Sequence, residues 1–216
     1  MFAYTPRPNS TDQSLRETMN NTKKWTYSLK QDHMVSVKGM RKMISMSSYV
    51  ASVVSKRLSE LPFSDFFDKY TALIPIPGSS QIPKDGLWVP ERLATEMVHK
   101  GIGYNVFPCL TRKYPIRKSA LASPGDRPSP LEHYSSISVN NAITDFNKVV
   151  LIDDVITKGS TLIGAANILH DAFPEIEIKG FAAIRTMSDP SQFRRWFDPI
   201  KGTIKLRPNG DSVRNP

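Results

Sequence analysis

One stretch in the C-terminal half of the chain decides the fold. Its thirteen residues read Val149-Val150-Leu151-Ile152-Asp153-Asp154-Val155-Ile156-Thr157-Lys158-Gly159-Ser160-Thr161. It begins as an almost continuous apolar run, which is typical of a strand in a parallel sheet covered on both faces. Two adjacent carboxylates end the run, a turn rich in hydroxyl groups follows, and a helix then begins. Because ligands of open α/β sheets bind outside the carboxyl ends of the strands, the stretch predicts a binding site as well as a strand.

The turn at residues 157–161 has the composition of a phosphate site. A glycine and three hydroxyl side chains lead into a helix N-terminus, where free N–H groups and the helix dipole favour an anion. Asp153 and Asp154 would repel a phosphate that touched them, but they suit sugar hydroxyls or a metal ion beside it. The combination predicts a sugar phosphate, with its hydroxyls on the Asp pair and its phosphate on the turn.

The acid pair has three other interpretations. A Walker B pair requires a Gly-x-x-x-x-Gly-Lys-Ser/Thr loop, which the sequence does not contain. A phospho-acceptor receiver domain would carry its acid pair near the start of the chain. The third interpretation is structural, with Asp154 only lying close to a helix cap.

The pattern around this stretch predicts an α/β fold with a doubly wound parallel sheet. Strands are predicted over residues 71–76, 105–110, 148–152 and 176–184, and helices over 90–100, 160–173 and 190–197. Strands that alternate with helices at this spacing are typical of βαβ units. The core is therefore expected over residues 70–200.

The two ends of the chain are predicted to be less regular. Residues 1–24 are polar, and a flexible arm is expected there. Residues 25–69 are expected to form an N-terminal extension, with a short strand at 25–29 and one amphipathic helix over 34–61. Residues 201–216 are polar and are expected to be a frayed tail.

Composition narrows the class of protein. The chain has 216 residues, 39% of them hydrophobic and 23% charged, and a net charge of +9, which excludes a fully disordered or fibrous chain and favours an anionic partner. Eleven basic and six acidic side chains lie before residue 71.

The single cysteine, Cys109, fits a core residue in a reducing, cytoplasmic compartment. No run approaches the length of a membrane span, and the four histidines are scattered, without the spacing of metal ligands.

The stretch at 149–161 resembles the phosphoribosyl pyrophosphate (PRPP) signature of the type I phosphoribosyltransferases. The resemblance implies the doubly wound sheet of that family. It also implies that Asp153 and Asp154 hold the ribose hydroxyls. The PRPP 5′-phosphate would then bind to the turn residues Thr157, Lys158, Gly159, Ser160 and Thr161. Lys158 stands where the family more often has Thr or Ser.

A second segment carries the same resemblance. Leu73-Ile74-Pro75-Ile76-Pro77-Gly78-Ser79 is similar to the first loop of the family, in which backbone groups bind pyrophosphate, so Pro77, Gly78 and Ser79 are implied as ligands. Its Pro-x-Pro form most resembles the competence-protein F-like branch, which also has an Ala-x-Arg at the end of a later strand; here that arginine is Arg185. The N-terminal zinc ribbon of the branch is missing, and so is an Arg-Gly step after Pro77, where Lys84 and Arg92 are the nearest cations.

The long basic segment at 111–130 corresponds to the flexible loop that closes over the site in this family. A loop of this length inside a compact domain is usually functional or disordered. We expect a basic lid that meets the pyrophosphate, with Arg112 and Lys118 as its catalytic cations. A merely solvated loop is the alternative.

The resemblance implies displacement of pyrophosphate from C1 of PRPP by a nitrogen nucleophile, with Mg²⁺ as cofactor. Asp153 and Asp154 would contact that metal indirectly, through the PRPP. A homodimer is common in the family, and the acceptor base would be chosen by a hood drawn from residues 1–69 or 186–216. The alternative is a non-catalytic PRPP-sensing regulatory or effector protein that binds nucleic acid or a protein partner through the basic N-terminal region.

Overall fold

A computed structural model describes residues 2–4, 13–83, 85–118, 126–140, 146–187 and 198–215 of the chain. The strands are β1 (Phe2–Tyr4), β2 (Met34–Val35), β3 (Ile44–Ser45), β4 (Ala72–Pro75), β5 (Asn105–Val106), β6 (Leu110–Arg112), β7 (Ile137–Val139), β8 (Lys148–Ile156), β9 (Glu177–Thr186), β10 (Thr203–Leu206) and β11 (Ser212–Asn215). The α-helices are α1 (Gln13–Lys30), α2 (Met46–Lys56), α3 (Val89–His99), α4 (Pro130–Ser136) and α5 (Ser160–Ala172). Two short 3₁₀ turns, Leu58–Glu60 and Ser64–Phe66, follow α2.

Five of these strands form a parallel sheet in the order β1-β9-β8-β4-β5. All four neighbouring pairs run parallel, and β8 is the middle strand, paired with β4 on one edge and β9 on the other. The apolar run of β8 alternates between two hydrophobic cores. Val150 and Ile152 pack in the core with α2 and α3, and Val149 and Leu151 pack in the core with α5. The predicted α/β architecture with a parallel sheet covered on both faces is confirmed.

Most elements predicted for the core are confirmed to within a few residues. The strands at 71–76, 148–152 and 176–184 correspond to β4, β8 and β9, and the helices at 90–100 and 160–173 correspond to α3 and α5. Cys109 is buried in the second core as predicted, and its burial raises the pKa of the thiol to about 11. The helix predicted over 190–197 lies outside the described residues.

One predicted strand is divided between two sheets. In the run at 105–110, only Asn105–Val106 joins the parallel sheet, whereas Leu110–Arg112 pairs antiparallel with β7. Pro108 lies between the two parts, and a proline has no N–H to donate to a strand ladder. The chain therefore leaves the sheet at this point.

The predictions for the N-terminal region are wrong in three places. The arm expected over 1–24 contains strand β1, which pairs with β9, and most of helix α1. The strand expected at 25–29 is part of α1. The helix expected over 34–61 is limited to α2, because the β2–β3 hairpin precedes it and Ser45 caps its start by accepting from the Ser48 N–H. The buried side chains described in α1 do have helical spacing, at Met19, Thr22, Thr26 and Leu29. Because two of these four are threonines, the sequence does not show the apolar periodicity that predicts a helix.

The prediction of a frayed tail over residues 201–216 is also wrong. Residues 203–215 form an antiparallel hairpin, with β10 and β11 paired from Thr203 and Asn215 to Leu206 and Ser212. Gly210, at φ +80°, occupies the turn, where a glycine meets no steric penalty. Among the described residues, no helix has the length and apolar character needed to cross a membrane.

A buried carboxylate joins α1 to the rest of the fold. The Asp32 side chain is only 2% exposed. Its Oδ1 accepts from the backbone N–H of Ser47 at 2.8 Å, and its Oδ2 accepts from Arg92 at 3.2 Å. Asp32 itself has φ +45°. It therefore connects the end of α1 to the first turn of α2 and to α3.

Replacing Asp32 by alanine should lower the free energy of unfolding by about 1–3 kcal/mol, because the buried Ser47 N–H loses its acceptor. Asp32→Asn should cost less, since asparagine keeps an acceptor oxygen and tolerates positive φ. Arg92→Ala should cost less than Asp32→Ala, because it keeps the acceptor of the Ser47 N–H and, once the 57% exposed Arg92 side chain is removed, water can reach Asp32 Oδ2. Urea unfolding of the three variants measures the order, and an equal loss in all three would contradict this account.

Candidate functional site

The candidate site lies at a step in the carboxyl edge of the parallel sheet. Strand β4 ends at Pro75, opposite Ile152, while β8 continues to Ile156 along β9. Residues 153–156 therefore project past β4. The first loop begins beside them, because the Ile76 N–H donates to the Ile152 carbonyl at 2.9 Å. The step brings the predicted acid pair, the turn at 157–161 and the first loop to one edge.

The two acids leave the strand on opposite sides, as successive residues of a strand do, but their carboxylates stay close enough to interact with each other. Asp153 shares the face of Leu151 and lines a small cavity at the turn. Asp154 shares the face of Ile152, and its Oδ2 lies 3.5 Å from the Lys30 Nζ of α1. The Oδ1 of each carboxylate accepts from the backbone N–H of the next residue at 2.8 Å.

The environment of Asp153 disfavours its charge. Burial raises the pKa of this carboxyl well above its ordinary value, and the adjacent negative charge of Asp154 raises it further. The positive charge of Lys30 lowers the same pKa. A ligand that presents hydroxyl donors or a cation to the pair would relieve the repulsion between the two carboxylates.

The turn presents the N-terminus of α5. Gly159 caps the helix in the left-handed conformation, at φ +87°. The Ile163 N–H donates to the Gly159 carbonyl at 2.9 Å, so the N–H groups of Ser160, Thr161 and Leu162 have no acceptor within the helix. These donors and the helix dipole favour an anion at this end.

A cavity of about 30 Å³ lies at the turn. It is lined by Arg127, Pro128, Asp153 and residues 155–162. The Arg127 Nε is buried there and has no hydrogen-bond partner among the described residues. Arg127 belongs to the segment predicted as a lid, in which Arg112 and Lys118 are the predicted catalytic cations. No local sequence pattern distinguishes Arg127 from the other cations of this segment.

The position of Arg112 differs from the prediction, because it lies in a strand and not in the loop expected over 111–130; a catalytic role for it stays a prediction. It ends strand β6 and is only 5% exposed. Its Nε donates to the Gly78 carbonyl at 2.8 Å, and its other guanidinium nitrogens donate to the Pro77 carbonyl and to the Ser136 hydroxyl. Burial lowers its pKa to about 10, so it stays a cation at neutral pH. The β6–β7 pairing that buries Arg112 joins segments about 25 residues apart, and no local pattern reveals it.

These contacts orient the peptides of the first loop. The Ser79 carbonyl accepts from the Ile116 N–H at 2.8 Å, and Arg112 holds the two carbonyls before it. Because the C=O and N–H of a trans peptide point in opposite directions, the N–H groups of Gly78, Ser79 and Ser80 face away from these donors. Loop N–H groups that face away from the packing contacts of the loop suit an anion.

The C-terminal hairpin packs against the turn. The Lys158 Nζ lies 2.6 Å from Asp211 Oδ2, and the Ser160 and Ser212 hydroxyls are 2.8 Å apart. Ile204 packs over Gly159. Lys158, predicted as a phosphate ligand, is therefore paired with a carboxylate in this structure.

The remaining predicted residues are placed as follows. Arg185 is buried at the end of β9, in register with Ile156, and burial lowers its pKa. Arg214 of the hairpin lies near it and donates to the carbonyls of Ile156 and Thr186. Lys118 is exposed beside the undescribed residues 119–125, and Arg92 pairs with Asp32 instead of facing the first loop. Lys84 lies outside the described residues.

Neither the known protein-family models nor the curated proteins match this chain. The site must therefore be interpreted from its own geometry. That geometry offers two sets of N–H donors for anions and, between them, a pair of carboxylates. In the part of the chain that the structure describes, no group of three or more His, Cys, Asp or Glu side chains is arranged to hold a metal ion.

The contact of the hairpin with the turn can be tested with two glycines of matched conformation. A Cβ on Gly159 would lie 2.6 Å from Ile204 Cδ1, whereas a Cβ on Gly39, at φ +86°, would meet nothing within 4 Å. Gly39→Ala should cost about 1–2 kcal/mol of stability from its backbone conformation alone. Gly159→Ala should cost about 1–3 kcal/mol more from overpacking. Thermal unfolding measures the difference, and Ile204→Ala should reduce it; equal losses at Gly159 and Gly39 would show that the hairpin does not pack there.

Proposed function

We propose that this protein is a phosphoribosyltransferase of the type I kind, which transfers the 5-phosphoribosyl group of PRPP to a nitrogen acceptor and releases pyrophosphate. The observation that carries the proposal is the step at the end of β8. It joins a carboxylate pair to the N-terminus of α5 on one side and to the first loop on the other. A ligand with two anionic ends and hydroxyls between them fits that order.

Each part of PRPP then has a partner of suitable chemistry. Asp153 and Asp154 accept from the ribose hydroxyls. The N–H groups at the start of α5, the hydroxyls of the turn and Arg127 bind the 5′-phosphate. The first-loop N–H groups bind the pyrophosphate. Lys158 holds Asp211 of the hairpin and shapes the turn from outside.

In the proposed reaction, the protein mainly positions the ribose and stabilises the charge on the leaving pyrophosphate. The acceptor nitrogen forms a bond to C1 of the ribose while the bond from C1 to the pyrophosphate oxygen breaks, and the pyrophosphate leaves with the bonding electrons. Negative charge grows on the leaving group and positive charge on the ribose ring. Donors already aimed at the pyrophosphate stabilise that charge without reorganising. Holding the ribose between two anchored anionic ends reduces the entropy of reaching the reactive geometry.

Mg²⁺ fits the donor set as part of the substrate complex. Magnesium is commonly held by one or two carboxylates together with substrate phosphates, and Asp153 and Asp154 supply carboxylate oxygens at the place where the ribose would lie. When bound, the ion would supply Lewis-acid neutralisation of charge on the pyrophosphate. The protein residues then orient the ribose and hold the 5′-phosphate.

The proposal is tested by incubating the protein with PRPP, Mg²⁺ and a panel of nitrogen bases and measuring pyrophosphate release. We expect release with one acceptor class, and a loss of about 100-fold or more in Asp153→Asn and Asp154→Asn, since each removes a contact to the reacting ribose. Glu175→Gln, an exposed carboxylate beyond the end of α5, is the matched control and should retain full activity. PRPP should also raise the melting temperature of the wild-type protein. Absence of both release and thermal stabilisation would refute the proposal.

A second candidate function is a PRPP-responsive protein that binds nucleic acid, and one surface favours it. The connection between β2 and β3 exposes Lys38, Arg41 and Lys42. Exposed methionines Met40 and Met43 lie among them, and residues 36–43 contain no acid. A basic, partly apolar loop of this kind suits the phosphates and bases of a single strand.

The second candidate predicts salt-dependent binding of a labelled single-stranded oligonucleotide. Replacing Lys38, Arg41 and Lys42 by alanine should lower the slope of log affinity against log salt by about 2, because three phosphate contacts are lost. Lys56→Ala, which removes one exposed cation at the end of α2, is the control and should leave the slope nearly unchanged. PRPP should shift the affinity without being consumed. A wild-type protein that binds no oligonucleotide at low salt would exclude this candidate.

A further inference from the structure

His133 lies directly behind the phosphate turn. It belongs to α4 and is 3% exposed. Its Nε2 lies 3.3 Å from the Thr161 Oγ1. Its Nδ1 is buried and has no hydrogen-bond partner among the described residues. One ring nitrogen therefore faces the turn, and the other is buried without a hydrogen-bond partner among the described residues.

This asymmetry selects one tautomer of the ring. If Nδ1 carried the proton, a buried N–H donor would remain without an acceptor, which is rare and costs more than an unused acceptor. If Nε2 carries the proton, it donates to Thr161 Oγ1, and only a lone pair on Nδ1 stays unused. The charged ring would again leave a donor unpaired at Nδ1. In keeping with this, burial and the nearby Arg112 lower the pKa of His133 to about 4, against a smaller opposite effect of Glu132.

We propose that His133 is a positioning residue, which donates its Nε2–H to Thr161 Oγ1 and so leaves the Thr161 hydroxyl proton to be donated to an anionic oxygen in the turn. The proposal rests on the proposed function in that it takes the anion to be the 5′-phosphate of a sugar phosphate. A threonine hydroxyl has one proton and two lone pairs. With one lone pair occupied by His133, the proton is free to point into the cavity that Thr161 shares with Arg127.

Helix α4 is anchored tightly enough to hold the ring in place. Gly164 of α5 lets it approach so closely that a Cβ there would lie 2.7 Å from the His133 Cβ. Ser129 and Glu132 form a capping box at its start. At its end, the Ser136 hydroxyl accepts from Arg112, which also holds the first-loop carbonyls. The same short helix thus contacts the turn directly, through His133, and the first loop indirectly, through Arg112.

The tautomer is tested first, in the unliganded wild-type protein. Long-range ¹H–¹⁵N correlation spectra distinguish a protonated from an unprotonated ring nitrogen. We expect the His133 Nε2 to be protonated and Nδ1 unprotonated from pH 6 to 8. A protonated Nδ1 would overturn the proposal, whatever the protein binds.

The functional consequence is tested by titrating ribose 5-phosphate into the wild-type protein and four variants. His133→Asn is too short to reach Thr161 and should weaken binding about fivefold to tenfold, whereas His133→Gln places an amide donor near the Nε2 position and should restore most of the affinity. Thr161→Val should weaken binding about tenfold or more. In the Thr161→Val background, His133→Asn should have no further effect, because its action passes through that hydroxyl.

Failure of this inference and failure of the proposed function give different results. If the wild-type protein binds neither ribose 5-phosphate nor PRPP, the proposed function is refuted. If the wild-type protein binds ribose 5-phosphate and His133→Asn binds it equally well, only the role of His133 is refuted. Additive losses in the double variant would likewise show that His133 acts through general packing and would overturn the positioning role.

Discussion

Strand β8 is paired with β4 only as far as Ile152 but with β9 as far as Ile156, and the rest of the molecule depends on that difference. Up to Ile152 the strand alternates between two hydrophobic cores. Beyond it, Asp153 faces the turn and Asp154 faces Lys30. A slip of one residue would exchange the faces of both carboxylates and of every core side chain. The register that builds the core therefore also builds the site.

A buried polar layer supports the site from behind. Arg112, Ser136 and His133 connect the first loop to the turn through α4. In surroundings of low polarity, such a network is rigid where it is satisfied and costly where it is not. Among the described residues, two side-chain nitrogens near the turn have no hydrogen-bond partner, and they differ in kind. With Nε2 protonated, the Nδ1 of His133 is an unused acceptor. The Nε of Arg127 is always a donor, and it lies at the turn cavity, where an anionic oxygen could accept its hydrogen bond.

The ends of the chain close on the site from two sides. Lys30, at the end of α1, reaches Asp154, and Asp211, in the C-terminal hairpin, holds Lys158. Part of the positive charge near the site is thus matched by carboxylates of the chain itself. By contrast, the cations of the β2–β3 connection are exposed. Of the cations in the first 70 residues, Lys30 contacts the site, whereas Lys38, Arg41 and Lys42 lie on an open surface.

The parallel core and the order of functional groups along β8 could be predicted from the amino-acid sequence. An apolar run, two acids, a glycine turn and a helix start are local features, and local features can be interpreted from neighbouring residues. The tertiary structure alone decided which more distant residues serve that segment. Arg112, His133 and Asp211 lie 24 to 53 residues from their partners Gly78, Ser136, Thr161 and Lys158. In the sequence, nothing distinguishes these three residues from charged or polar residues on a protein surface. Burial and hydrogen bonding across the fold give them their roles, because those interactions depend on which segments meet in space.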